Sequence, residues 1–343
     1  MRVINTHAHW YPQEWVDLIE KESPQNGAKI EKNARGEISF SVPGVQFRGI
    51  DQIDKGGTVF RANQIDIDGR LKVMDETGVD MQVLSLTTPM VYWAPSAFGL
   101  KLSQTFNDAC SAIHGKHPDR FVGMATVPMQ APELAVQELE RASRLPGLCG
   151  LYLATHINGK NLDEAEFFPV YAKCEELNWP IFLHPTAPVG GERTRKHFLV
   201  NLLGNPYDTG IAAASLMFGG VMDAFPKLDV MLPHAGGAFP ALIGRMNHGV
   251  AVRHEVKHMT KPPSSYLRRF YYDTITHSDE FLMYMIQQIG ADRIVLGDDY
   301  PADMGYKRPV DVVERLTGLS EGEREMILSG NAVRLLRLQV GEG

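Results

Sequence analysis

Val3-Ile4-Asn5-Thr6-His7-Ala8-His9 is the stretch on which the reading of this sequence turns. Its apolar, β-branched start reads as a strand over 3–6, and a His-x-His pair follows at the strand's end. In extended chain, residues two apart face the same side, so both imidazoles can reach one point. Taken alone the pair is a modest signal, because imidazole is also an ordinary buried hydrogen-bonding group. It gains weight from what recurs downstream. Similar short runs lie at 81–86, 121–127, 150–154, 181–184, 230–234, 270–274 and 294–297. Helical patterns fall between and after them, at 69–77, 98–117, 132–144, 164–177, 207–225, 239–253, 279–289 and 308–315, with a last one over 321–336. Pro132 and Pro240 occupy first-turn positions, where a missing N–H costs nothing. His117-Pro118 and Phe225-Pro226 end their helices, because the residue before proline is pushed out of the α region.

Eight strands in this rhythm predict an α/β fold, a closed (β/α)8 TIM barrel, with residues 1–343 forming one domain. Residues 10–63 break the rhythm. Within them, 29–32 and 37–42 flank Asn33-Ala34-Arg35-Gly36, which reads as a hairpin around a glycine turn. This is an insertion after the first strand, expected over one mouth of the barrel, where such segments shape substrate sites.

Barrel active sites gather at the C-terminal ends of strands. His184 ends the fifth strand, His234 ends the sixth, and Asp298-Asp299 follows the eighth. Any one of these reads equally well as a cap, turn or core residue; composition alone does not place all of them at strand ends. Imidazole plus carboxylate suits one Zn2+, with Mn2+ or Fe2+ as competitors. Three histidines and one carboxylate leave a position for water, whose pKa the ion lowers, and a histidine outside that set can move protons. The end of the fourth strand, Leu151 to His156, has no lysine to form a bridging carbamate, so one metal is expected rather than two. His156 is a spare candidate, read as a supporting or surface residue.

Bulk composition narrows the partners. A net charge of −7 and the lack of any basic run argue against nucleic acid. No signal-peptide pattern and no long apolar run appear, so neither secretion nor a membrane is expected. Three widely spaced cysteines, Cys110, Cys149 and Cys174, suit buried thiols in a reducing compartment, and the expected location is the cytoplasm.

Against these motifs the chain resembles the amidohydrolase-2 family of non-oxidative decarboxylases, from Asn5-Thr6-His7-Ala8-His9 to Ser329-Gly330-Asn331-Ala332. The densest matches are His184-Pro185 with Gly190-Gly191, Pro233 to Arg245, Pro262 to Tyr266, and Leu296-Gly297-Asp298-Asp299-Tyr300-Pro301. The resemblance implies His7, His9, His184 and Asp299 as metal ligands and His234 as the catalytic acid/base. It selects Asp299 over Asp298 because the family's ligand directly precedes the tyrosine; the chemistry of the two residues does not separate them. It also implies that Arg48 holds a substrate carboxylate and that Arg245 reaches the neighbouring subunit's site in a homodimer. Arginine suits both tasks because its planar fork grips carboxylate bidentately. Trp93, Met90 and Phe47 are candidates to wall an aromatic ligand.

Ala235 departs from the family's HGGG pattern, Thr194-Arg195-Lys196-His197-Phe198 replaces a tryptophan region, and Asp298 replaces a serine. These differences bear on substrate identity. The expected activity is metal-dependent decarboxylation of an unsaturated or aromatic carboxylic acid without an organic cofactor. Hydrolysis or hydration of an ester, lactone, amide or double bond is the enzymatic alternative, since the same metal-held water serves both. A non-catalytic binder is the alternative outside enzymes; it needs neither an open coordination position nor a spare histidine.

Overall fold

In the computed structural model, which describes residues 2–32, 36–42 and 58–339, eight parallel strands pair in strict chain order. They are β1 (Ile4–His9), β2 (Met81–Ser85), β3 (Phe121–Ala125), β4 (Leu148–Ala154), β5 (Ile181–His184), β6 (Val230–Leu232), β7 (Phe270–Asp273) and β8 (Ile294–Val295). Every residue in these strands is buried, because helices cover the outside and side chains fill the inside. The sheet closes where β8 runs out and its continuation meets β1. Thr6 N donates to Leu296 O at 2.8 Å, Asp299 N to His7 O at 2.9 Å, and His9 N to Tyr300 O at 2.7 Å.

Helices follow the expected rhythm, with two local departures. The run expected over 207–225 is two helices, Asn205–Phe218 and Val221–Ala224, separated at Gly219-Gly220, where Gly220 takes φ 78°. The last helix contains a π turn over Met326–Gly330. Cys110, Cys149 and Cys174 are buried and unpaired. Among the described residues, no helix is long and apolar enough to cross a membrane.

The insertion holds more structure than a hairpin. Helix Gln13–Glu22 buries Trp15, Val16 and Ile19 along one face. Lys29–Lys32 and Ile38–Ser41 pair antiparallel, as expected, but Thr58–Phe60 adds a third strand. Phe60 ties this sheet to the helix and its lead-in: its ring lies 4.9 Å from Tyr11 and 5.8 Å from Trp15.

Candidate metal centre

β1 carries both histidines of the opening motif into the barrel, His7 1 % and His9 4 % exposed. β5 delivers His184 at its last residue, and the turn after β8 delivers Asp299. One donor atom from each of His7, His9, His184 and Asp299 falls within 4.8 Å of the others. Asp298 lies outside this group. Its carboxylate accepts from Tyr300 N at 2.8 Å, and burial pushes its pKa up to about 7. β8 passes this close to β1 only because residue 297 is glycine: a Cβ there would meet Asp273 Cβ at 2.9 Å and His7 Cβ at 3.0 Å.

Hydrogen bonds fix how the imidazoles are oriented. His7 Nδ1 lies 2.7 Å from Asp273 Oδ2, so it donates there and presents Nε2 to the centre. The Ser85 hydroxyl donates to Ala8 O, so it accepts from His9 Nδ1 at 3.0 Å and likewise leaves His9 Nε2 facing inward. His9 Nε2 is then 2.9 Å from Asp299 Oδ1, with His7 Nε2 3.4 Å from the same oxygen and without a hydrogen-bond partner. Buried nitrogen and carboxylate ligand atoms gathered about one point fit a cation.

Charge states agree with that geometry. Burial pulls His9 down to about 4 and takes His184 well below the ordinary range, helped by the neighbouring His9 and His7. Asp299 is held well below the usual carboxylate range; burial opposes this, but the contact with His9 and the nearby His7 outweigh it. His7 differs. Burial lowers its pKa, yet the hydrogen bond to Asp273 and the charge of Asp299 together leave it raised. A cation arriving at Nε2 must displace that proton. Metal uptake near neutral pH is therefore expected to release protons into weakly buffered solution, and the release should fade as pH rises above the His7 pKa. Uptake with no proton release at neutral pH would contradict the raised pKa of His7.

His234 stands beside the four, its Nε2 4.0 Å from Asp299 Oδ2 and its ring 5.7 Å from that of His184. Burial lowers its pKa against the pull of Asp299. The turn that presents it is unusual, since His234, Ala235, Gly236 and Gly237 all have positive φ. Gly237 has no room for a side chain, as a Cβ would sit 2.0 Å from Pro206 O. Asp273, at the end of β7, secures the turn by accepting from His234 N at 3.0 Å and Ala235 N at 2.8 Å. Sequence reasoning missed Asp273. The available signal was a lone carboxylate at the end of a barrel strand that had been given no functional residue.

The pocket above the four donors is lined by His9, His184 and Asp299, and by Thr58, Arg61 and Asn63 at the end of the insertion. Arg48 and Phe47 lie outside the described residues. Arg61, which the sequence reading passed over, lines this pocket, the one arginine to do so among the described residues. Trp93 does not line it. Its ring packs 4.8 Å from Phe40 and 5.9 Å from Phe98, and Nε1 donates to Met90 O, itself in a buried turn. Arg245 is exposed on helix Phe239–Val252. His156 is away from the centre: Nδ1 accepts from Gly159 N at 3.1 Å, and Nε2 is 3.2 Å from Ala187 O.

A (β/α)8 barrel with a histidine–carboxylate cluster at its strand ends defines a class of metal-binding barrel proteins. The amidohydrolase family model matches residues 4–338, and the chain belongs to that family. It is 34% identical to 2-amino-3-carboxymuconate-6-semialdehyde decarboxylase of Dictyostelium discoideum, over 98% of this chain and 91% of that protein. The solved 5-carboxyvanillate decarboxylase of Sphingomonas paucimobilis superposes with TM-score 0.81 at 26% identity, over 98% of this chain and 99% of that one. A dihydroxybenzoic acid decarboxylase of Polaromonas, solved with bound manganese and the inhibitor 2-nitroresorcinol, gives TM-score 0.78 at 26% identity, over 99% and 98%.

Proposed function

We propose that this chain is a metal-dependent, non-oxidative decarboxylase of an aromatic or unsaturated carboxylic acid. The observation that carries the reading is the division of labour among the histidines: three converge with Asp299, and a fourth, His234, stands beside them uncommitted. The decarboxylase names of the relatives support it. The donor set suits a divalent ion; Mn2+ is what the Polaromonas protein holds, and Zn2+ suits the same donors. Such an ion supplies a Lewis acid that draws electron density from an oxygen substituent of the substrate.

The rest falls to the chain's own residues. Arg61 grips the acidic substrate and orients it in the pocket. The bond from carbon to carboxylate breaks, CO2 leaves, and the electron pair stays on the carbon. His234, as imidazolium, gives that carbon its proton and recovers one from solvent. Its lowered pKa makes that imidazolium a strong acid, formed transiently by a proton taken from solvent. Asp273 keeps the His234 turn in place. Arg61→Ala is expected to raise KM about 10- to 100-fold, the worth of a charge-assisted contact, with a smaller effect on kcat. Steady-state kinetics check this.

We further read the protein as a homodimer. Tyr207 and Ile211 on helix Asn205–Phe218, with Leu242 and Val252 on helix Phe239–Val252, are large apolar side chains exposed on helices that pack together. Arg245 on the second helix would then approach the partner's site. Leu242→Glu is expected to shift the mass measured by sedimentation from dimer to monomer.

The test of function is metal analysis with a screen of aromatic and muconate-type acids for CO2 release, with lactones and esters alongside. One divalent ion per chain and chelator-sensitive CO2 release are expected. Turnover confined to esters or lactones would overturn the reaction, and failure to hold metal after reconstitution would overturn the site.

A further inference from the structure

The least expected buried group in the molecule is Arg70. It sits on helix Ile67–Thr77 and is 0 % exposed, yet among the described residues no carboxylate pairs with it. Burial draws its pKa down only to about 10, so it carries full charge at neutral pH. An enclosed cation without a contacting anion is a poor way to stabilise a fold, and an apolar side chain of similar size commonly does as well or better.

Its contacts share one feature. Nη2 donates to His9 O at 2.5 Å, and Nη1 donates to Gln82 Oε1 at 2.9 Å. The guanidinium lies over the Tyr300 ring, with Cζ 4.6 Å from the centroid. Gln82 pairs in register with Asn5 on β1, and His9 N donates to Tyr300 O. His9 and Tyr300 thus meet at the seam that closes the barrel, and Arg70 holds both from behind. His9 belongs to the donor cluster, and Tyr300 directly follows Asp299.

We propose that Arg70 is a positioning residue of the metal centre. Its planar fork and flat face lock the His9 end of β1 to the Asp299–Tyr300 turn, fixing two donors contributed by opposite ends of the chain. This rests on reading His7, His9, His184 and Asp299 as the metal site. Lysine could not do the same work: a single ammonium cannot span Gln82 and the carbonyl while lying flat on the tyrosine.

The test compares wild type, Arg70→Met and Arg70→Lys as full-length chains. Metal affinity is measured by competition with a chromophoric chelator for Mn2+ and Zn2+, and Tm is measured after metal removal. Arg70→Met is expected to fold with a metal-free Tm lowered only by the two acceptors it leaves unpaired, while its metal Kd weakens about 10- to 100-fold, the usual cost of losing a group that orients ligands. Arg70→Lys is expected to fold and to bind metal more weakly than wild type. Wild-type Kd in either folded variant would overturn the proposal, as would two variants that both fail to fold, which would mark Arg70 as structural. A wild type that binds neither ion would overturn the metal-centre reading along with the proposal, and is told apart from the other failures by the wild-type sample alone.

Discussion

His234→Ala is expected to lower kcat by about two to four orders of magnitude, the range supplied by a positioned general acid, while each chain still holds its ion. The two halves of this expectation come from geometry. His234 lies beside the four converging donors and is not one of them, so its removal leaves the cluster intact. KM should change little, because the residue acts on the carbon that loses CO2 and not in gripping the acid. Metal analysis and kinetics on one preparation check both halves. Undiminished turnover would remove His234 from the mechanism, and loss of the ion would place it among the ligands.

Asp273→Ala should be the most damaging single change away from the donors. Its carboxylate is completely buried and accepts from His7 Nδ1, His234 N, Ala235 N and Ile275 N. Removing it leaves those donors unpaired and releases a turn whose non-glycine residues sit at positive φ. A loss of about 3–5 kcal/mol in unfolding free energy is expected, together with metal affinity weakened about 10- to 100-fold. Asp273→Asn should rescue little, since its amide can present a donor to backbone N–H groups. Denaturant melts with and without chelator separate the two effects, and a variant as stable and as metal-avid as wild type would refute the assignment.

How much of this was legible in the sequence follows from how local each signal is. All eight barrel strands were found because each is a short apolar run between helical patterns, and even the two-residue β8 is announced by Ile294 to Gly297. The donors were legible because a ligand must stand at a strand end whatever the details of packing. The choice of Asp299 over Asp298 came from the family resemblance and not from the chemistry of the two residues. It depends on which carboxylate the turn aims inward, and Asp299 takes φ 61° to do so. Phe47-Arg48 and Phe60-Arg61 present the same dipeptide twice within the insertion, so nothing local marks Arg61 out as a pocket residue. Helix Gln13–Glu22 was missed although Trp15, Val16 and Ile19 have helical spacing; the lack of barrel rhythm around them hid it. Asp273 and Arg70 matter through contacts to His234, His9 and His7 that lie 39 to 266 positions away, which no window along the chain displays.

The seam between β1 and the chain beyond β8 also orders events in time. His9 and Asp299 are 290 residues apart and Asp299 follows β8, so as the chain is synthesised all eight strands precede the last donor. Contacts that remote form late, because a very long loop must close before they return anything. An unfinished chain holds the histidines without the carboxylate and has no high-affinity place for an ion. Capture of the ion therefore selects completed barrels and stabilises them by mass action, leaving the folding route to the polypeptide alone. Metal starvation would then show as a pool of closed but less stable molecules with faster turnover in the cell, and not as chains arrested halfway.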